Sequence, residues 1–355
     1  MAPTTETKCQ YRQLGRSGLR VSVPILGCLG FGDPGFLPWA LPEDKALPLL
    51  KAAFDRGINT WDTANNYSNG MSEELVGKAL KTYGIQRHRV VIMTKCFMHV
   101  DEERGGPVVR ERLAAAEAAL EYQNQAGLSR AAIFNQVDAS LRRLDTSYID
   151  LLQIHRYDPA VAPEETMRAL EDLVRGGKVR YIGASSMWAT QFARLQAVAD
   201  KHGWTRFVSM QNFYNLLYRE EEREMNRFCR ETGVAIIPWS PLDGGRLARL
   251  PAATEAEDTA RTKTNRASVS WGRPKGDNDD RILERVHEIA QRHGCSMAEV
   301  ALAWLLNGRA TSPIVGATKI KHVDEAILAV GIVLDETEEK YLQALYKPIN
   351  VYGHM

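Results

Sequence analysis

The sequence holds only five cysteines in 355 residues, Cys9, Cys28, Cys96, Cys229 and Cys295, and none stands in a CxxC pair. An odd, scattered set gives no disulfide framework and points to a reducing, cytoplasmic setting. Cys96 follows Lys95, whose charge could lower a thiol pKa, but a small buried apolar residue is the simpler account of it. No apolar run approaches the length of a membrane span. The opening stretch MAPTTETKCQYRQLGR lacks the apolar core of a signal peptide. Neither sign of charge dominates: 45 Lys and Arg against 44 Asp and Glu leave a net +1. That balance gives no electrostatic case for nucleic acid or for an anionic membrane. His99, His155 and His202 do not form the HxH-like spacing that a metal-dependent barrel hydrolase needs, so no metal is expected.

What is present is an alternation. Eight short runs rich in β-branched and other apolar residues recur: Pro24–Cys28, Ile58–Trp61, Val90–Thr94, Ile149–Ile154, Val179–Gly183, Phe207–Met210, Val234–Pro238 and Pro313–Val315. Their apolar character is nearly continuous, as in parallel strands covered on both faces. Between them lie amphipathic stretches: Pro42–Arg56, Ser72–Leu80, Asn135–Arg143, Glu164–Arg175, Ala189–Lys201, Glu220–Thr232, Ser296–Leu306 and His322–Val330. Eight strands alternating with helices predict a (β/α)8 TIM barrel occupying residues 1–355 as a single domain. Residues 11–23 read as an N-terminal β-hairpin that caps the barrel floor. Two segments exceed ordinary connections and extend over the C-terminal face. Residues 97–132 carry a helix around Arg110–Tyr122 and form either a lid or a solvated decoration; residues 243–280 form a long polar loop. Residues 335–347 read as a terminal helix packed back on the barrel.

In such a barrel the strand C-termini share one face, and that face holds the active site. Asp62, Lys95 and His155 stand at three predicted strand ends, and Tyr67 follows Asp62 closely in INTWDTANNY. Taken singly, each has a plainer explanation as a helix cap, a core phenol, a solvated ammonium or a structural imidazole. Together they make a proton-transfer device. A phenol is too weak an acid at neutral pH, with a pKa of about 10, unless a cation lowers it. Lys95 is placed to do so, and Asp62 to keep Lys95 charged and fixed.

The ordered segments WDTANNY, MSEELVGKAL, VVIMTKC, DLLQIHRYD, VRYIGASSM, MQNFYNLLYR, IPWSPLDGGRL and SPIVGATKIKHVDEAI resemble the successive signatures of the aldo-keto reductases. The resemblance runs from about Tyr11 to the C-terminus, with 97–132 the main departure in length. It implies a barrel that binds NADPH or NADP+ without a GxGxxG fold, and reversible reduction of an aldehyde or ketone. It implies the catalytic tetrad Asp62, Tyr67, Lys95 and His155. Tyr67 would protonate the carbonyl oxygen as hydride arrives, Lys95 would lower its pKa, Asp62 would hold Lys95, and His155 would hydrogen-bond the same oxygen.

The resemblance also implies cofactor contacts. Cys28, Leu29 and Asp62 are among them; Gln211 would hydrogen-bond the nicotinamide carboxamide with Ser185 and Ser186 beside it, and Trp239 would stack on the ring. Ser240, Pro241, Leu242 and Gly244 surround the pyrophosphate, and Arg266 in the clasp segment 243–280 meets a phosphate. Gly316, Thr318, His322 and Glu325 receive the adenosine. Ala326 replaces an expected asparagine, and Gly316 an expected lysine, so Lys319 or Lys321 is left to grip the 2′-phosphate. Phe31, Trp39, Phe97, Arg156 and Tyr157 are candidates to line the substrate pocket, with Arg156 equally placed for a surface ion pair. An aromatic pocket suits an aryl or polycyclic carbonyl. The overall look is similar to fungal aryl-alcohol dehydrogenase-like and versiconal-type reductases of secondary metabolism. The partner expected is a small-molecule carbonyl, for a protein that is a monomer or a homo-oligomer. The alternative is a nicotinamide-binding regulatory subunit of the potassium-channel β type, which shares the barrel and the clasp.

Overall fold

The structure, a computed structural model, describes residues 9–101, 119–251, 261, 263 and 273–354. Strands β1 (Gln10–Gln13) and β2 (Arg20–Val23) form the expected antiparallel hairpin, with Gln10 facing Val23. It is tied to the loops that precede barrel strands. The Arg16 N–H donates to the Gly233 carbonyl (3.0 Å), the Tyr11 hydroxyl to the Gly57 carbonyl (2.6 Å), and the Arg12 guanidinium to the carbonyl of Thr311 (3.4 Å).

Eight further strands follow: β3 (Ile25–Gly27), β4 (Thr60–Asp62), β5 (Val91–Cys96), β6 (Ile149–Ile154), β7 (Val179–Ser185), β8 (Phe207–Gln211), β9 (Ala235–Ile236) and β10 (Ile314–Gly316). Their order in the sheet is β10-β3-β4-β5-β6-β7-β8-β9, and β4 to β8 pair in parallel. The two ends of this order meet. The Thr311 N–H donates to the Ile236 carbonyl (2.8 Å) and the Ile314 N–H to the Pro238 carbonyl (2.9 Å), which curls the sheet into a (β/α)8 barrel. All six positions of β5 are buried, which is why its sequence shows no alternation.

The expected helices are present with small shifts of boundary: Glu43–Asp55, Met71–Thr82, Arg130–Arg143, Pro163–Arg175, Ala189–His202, Met225–Thr232, Met297–Leu306, Ile320–Leu328 and Glu336–Gln343. One helix went unforeseen. Asp279–His293 begins where the long polar loop was expected to end, and it buries Ile282, Leu283, Val286, Ile289 and Ala290 along one face. That loop opens with a 3-10 turn at Asp243–Ala248. Most of the helix expected around Arg110–Tyr122 and the clasp residue Arg266 lie outside the described residues.

The chain divides into two compact units. One comprises Met1–Leu26, Ala52–Ile58 and Asn212–Tyr352. Its core gathers Tyr214, Leu247, Val286, Trp304 and Leu334, and the helix Met297–Leu306 is buried at every position behind a Ser296–Glu299 capping box. The other comprises Gly27–Lys51, Asn59–Gln211 and Gly353–Met355 and carries β4 to β8. There Gly77 lets helix Met71–Thr82 lie against the end of helix Arg130–Arg143: a Cβ at this position would come to 2.5 Å of the Leu144 carbonyl. Asp62, Tyr67, Lys95 and His155 all belong to this second unit.

Candidate active site

Lys95 stands on β5, and its side chain is completely buried. A cation so placed needs partners, because burial without them favours the neutral amine. Its Nζ donates to Asp62 Oδ2 at 2.6 Å, to the Thr63 carbonyl at 2.8 Å and to the Tyr67 hydroxyl at 3.1 Å. These bonds use all three ammonium protons and aim one at the phenol oxygen. Burial pulls the Lys95 pKa down, but the charge of Asp62, the phenol and their hydrogen bonds outweigh it, so it lies above the ordinary lysine value.

The second oxygen of Asp62 is also engaged. Oδ1 accepts from Gln153 Nε2 and Gln211 Nε2, each at 2.9 Å, and Gln211 Nε2 donates further to Gln153 Oε1 at 2.8 Å. Gln153 lies opposite Lys95 in the β5–β6 register, so the two side chains share one side of the sheet. Gln153 is a site residue that sequence reading missed. Its signal was a lone polar residue in the buried run IDLLQI, two positions before His155.

Tyr67 follows β4 and is held by unusual backbone. Ser68, Asn69 and Gly70 have φ of 47°, 50° and 90°, three left-handed residues in succession before helix Met71–Thr82. Non-glycine residues adopt this region at a cost and keep it only when surrounded by fixing contacts. Here the Ser68 hydroxyl accepts from the Asp33 N–H (3.2 Å) and Asn69 Oδ1 from the Asp101 N–H (3.3 Å).

The expectation that Lys95 makes Tyr67 unusually acidic needs correction. Burial is the largest influence and raises the phenol pKa. Lys95 and Arg156 pull it down, Asp62 raises it, and the net result lies above the ordinary value. His155, at the end of β6, has its ring 6.1 Å from that of Tyr67 at 75°. Burial, with the charges of Arg156 and Lys95, drops its pKa well below the usual imidazole value, so the ring is neutral at pH 7. Its Nδ1 is buried without a hydrogen-bond partner among the described residues.

The other expected residues fall as follows. In the second unit, the Ser185 hydroxyl (2.7 Å) and the Ser186 N–H (3.2 Å) both donate to the Gln211 backbone carbonyl, so the three cluster. The Cys28 N–H donates to the Asp62 carbonyl at 2.8 Å, with the half-buried Leu29 beside it. Trp39, Phe97, Arg156 and Tyr157 are half-buried. Phe31 is fully buried and bridges to Leu41.

In the first unit, half-buried Trp239 stacks on Phe213 at 4.6 Å and 24°. Pro241 is buried, and Leu242 next to it is half-buried. Ser240, Asp243, Gly244 and Gly245 have φ of 50°, 48°, 67° and 97°. Left-handed runs of this kind can form anion-binding nests, although the Gly244 N–H already donates to Ser240 Oγ at 3.0 Å. Gly316 and Thr318 are exposed, and the Thr318 N–H donates to His322 Nδ1 at 3.3 Å. Lys321 Nζ lies 3.6 Å from Glu325 Oε1. Arg261, which the sequence gave no reason to choose over Arg266, places Nη1 at 3.9 Å from a Cβ built on Gly316. Among the described residues there is no cluster able to hold a metal, and no helix is long and apolar enough to cross a membrane.

The aldo/keto reductase family model matches residues 25–347. The chain belongs to the aldo-keto reductase family. The family reduces carbonyl groups with a nicotinamide cofactor, so this member is an oxidoreductase that acts on small carbonyl compounds. Among its relatives, an aldo-keto reductase of Fusarium vanettenii is 53% identical over 353 residues, covering 99% of this chain and 94% of the relative. Versiconal hemiacetal acetate reductase of Aspergillus parasiticus is 48% identical, covering 96% and 97%. A putative aryl-alcohol dehydrogenase of Schizosaccharomyces pombe is 47% identical, covering 97% and 98%.

Proposed function

We propose that this aldo-keto reductase uses NADPH to reduce an aromatic or polycyclic aldehyde or ketone, in fungal-type secondary metabolism, with Tyr67 as general acid. The observation that carries the reading is the buried chain from Asp62 through Lys95 to the Tyr67 hydroxyl, with bonds of 2.6 and 3.1 Å. When bound, the reduced nicotinamide supplies the hydride.

The residues of this chain do the rest. Tyr67, kept protonated by burial, gives its proton to the carbonyl oxygen as negative charge develops there. Lys95 cannot rotate away, because Asp62 and the Thr63 carbonyl hold it. It therefore stabilises the phenolate left behind. Neutral His155 carries one N–H, which suits a hydrogen bond to the same oxygen. In the oxidative direction tyrosinate is the base.

Features within each unit support the cofactor reading. Gln211 has both amide protons on Asp62 and Gln153, which leaves its side-chain Oε1 to meet a carboxamide N–H. Trp239 offers a ring face, the Ser240–Gly245 turn a nest, and Arg261 a guanidinium beside Gly316. Exposed Lys319 and Lys321 are the candidates to meet a 2′-phosphate, which favours NADPH over NADH. For the substrate, relatives named for aryl alcohols and for versiconal hemiacetal acetate agree with the half-buried aromatics Trp39, Phe97 and Tyr157.

The test is a screen of NADPH and NADH oxidation across aromatic aldehydes, ketones and quinones. Turnover of an aryl carbonyl with NADPH is expected. No turnover in any class, with cofactor still bound, would move the chain to the regulatory-subunit reading.

A further inference from the structure

Gln136 lies on helix Arg130–Arg143, a stretch with no candidate for chemistry, yet it is a buried hub. Its Oε1 accepts from the Phe97 N–H (2.6 Å) and from Asn65 Nδ2 (3.1 Å). Its Nε2 donates to the carbonyls of Gly127 and Ala132, both at 3.0 Å. Asn65 Nδ2 also donates to the Met98 carbonyl at 2.8 Å, and the Gly127 N–H to the Phe97 carbonyl at 2.8 Å. The long segment after β5 thus leaves at Phe97 and returns at Gly127 through one neck, and Gln136 touches both sides of it.

The neck holds a strained residue. Phe97 has a φ of 134°, a conformation that glycine takes readily and a bulky aromatic residue does not. Such backbone persists only where neighbours over-determine it. The Phe97 N–H and carbonyl are both fixed, by Gln136 and Gly127. Phe97 is also two residues beyond Lys95, so its Cα lies within roughly 8 Å of that of Lys95 by chain geometry alone. The half-buried Phe97 ring leaves from a backbone that Gln136 pins.

We propose that Gln136 is a positioning residue that holds Phe97 in its strained backbone, and that the fixed Phe97 ring sets the acceptance of aryl carbonyls over small aliphatic ones. This rests on the reductase reading given above. Asn65 serves the same clamp and ties it to the Tyr67 loop, since its N–H donates to the Lys95 carbonyl at 3.2 Å.

The experiment compares Gln136→Ala, Phe97→Gly and the double variant, using benzaldehyde and propanal with saturating NADPH, alongside urea unfolding. Gln136→Ala should raise KM for benzaldehyde about tenfold or more and KM for propanal less than about twofold. In the Phe97→Gly background, where the backbone needs no clamp, Gln136→Ala should add less than about twofold for benzaldehyde. Equal rises for both aldehydes, or an undiminished effect in that background, would overturn the proposal. Unfolding gives an answer independent of turnover. Gln136→Ala should lower the urea midpoint less in the Phe97→Gly background than in the wild type, and equal losses would overturn the clamp. If the wild type reduces neither aldehyde but this coupling is present, the clamp stands and the reductase reading falls. Should Gln136→Ala not fold, Phe97→Gly and Phe97→Ala decide, since both lose the ring and only alanine keeps the strain. The glycine variant should unfold at the higher urea concentration, and the reverse order would overturn the clamp.

Discussion

The Lys95 ammonium sits 3.1 Å from the Tyr67 hydroxyl, and the phenol nevertheless titrates above an ordinary tyrosine, because burial outweighs the cation. The pair is therefore a reservoir for a proton at neutral pH and not a preformed phenolate. That state suits the proposed reduction, in which Tyr67 would arrive protonated. In that proposal Lys95 contributes charge waiting where the phenolate would form, at no cost of reorganisation during the step.

The rate of carbonyl reduction at saturating cofactor should accordingly be level through neutral pH. It should fall only above about pH 10, where phenol and ammonium lose their protons. Both groups are raised above their ordinary values in the folded protein, which moves that fall to the alkaline side. Initial rates between pH 6 and about 11 check this. A fall beginning near neutrality would mean that another group controls the step.

Asp62 and Lys95 form a buried ion pair, and removing one member leaves the other buried and uncompensated. Asp62→Asn or Lys95→Met should each cost about 3–5 kcal/mol in urea unfolding. The double variant should cost clearly less than the sum, because neither charge is then left alone. Additive losses would show that the pair is not coupled.

Gln153 should matter as much as a residue that sequence reading had singled out. Gln153→Leu keeps the volume but leaves Asp62 Oδ1 with Gln211 alone of the two glutamine donors. A loss of roughly 1.5–3 kcal/mol is expected for a hydrogen bond to a buried charge, with a fall in kcat. Full stability together with full activity would remove Gln153 from the site.

His155 gives the protein an acid-sensitive stability. Its folded pKa lies well below 6.5, whereas in the unfolded chain it is close to 6.5. As pH falls below about 6.5 the unfolded state takes up the proton first, so stability must decline over that range. Urea midpoints at pH 7 and about pH 5 should show the decline, and His155→Gln should flatten it. An unchanged slope in that variant would place the titration elsewhere.

The alternation of runs and amphipathic stretches was enough to read the barrel, because parallel strands covered on both faces leave unbroken apolar segments such as Val91–Met93. The grouping of Asp62, Tyr67 and Lys95 was legible because these residues end strands or follow them closely. Three features were not. Helix Asp279–His293 begins in a run of charged residues that reads as loop, and only the spacing of Ile282, Val286 and Ile289 betrays it. The net pKa of Tyr67 depends on burial, which a sequence does not display, whereas the neighbouring cation is visible in it. The left-handed backbone at Ser68, Asn69 and Phe97 carries no glycine to announce it, since it is held by hydrogen bonds to distant segments.

The central claim is that Tyr67 delivers the proton. It is tested most directly by measuring steady-state NADPH oxidation with an aryl aldehyde alongside NADP+ affinity, for the wild type and Tyr67→Phe. The predicted result is a loss of about 10²–10⁴ in kcat with cofactor affinity changed by less than about threefold. Turnover by Tyr67→Phe within about tenfold of the wild type would contradict it.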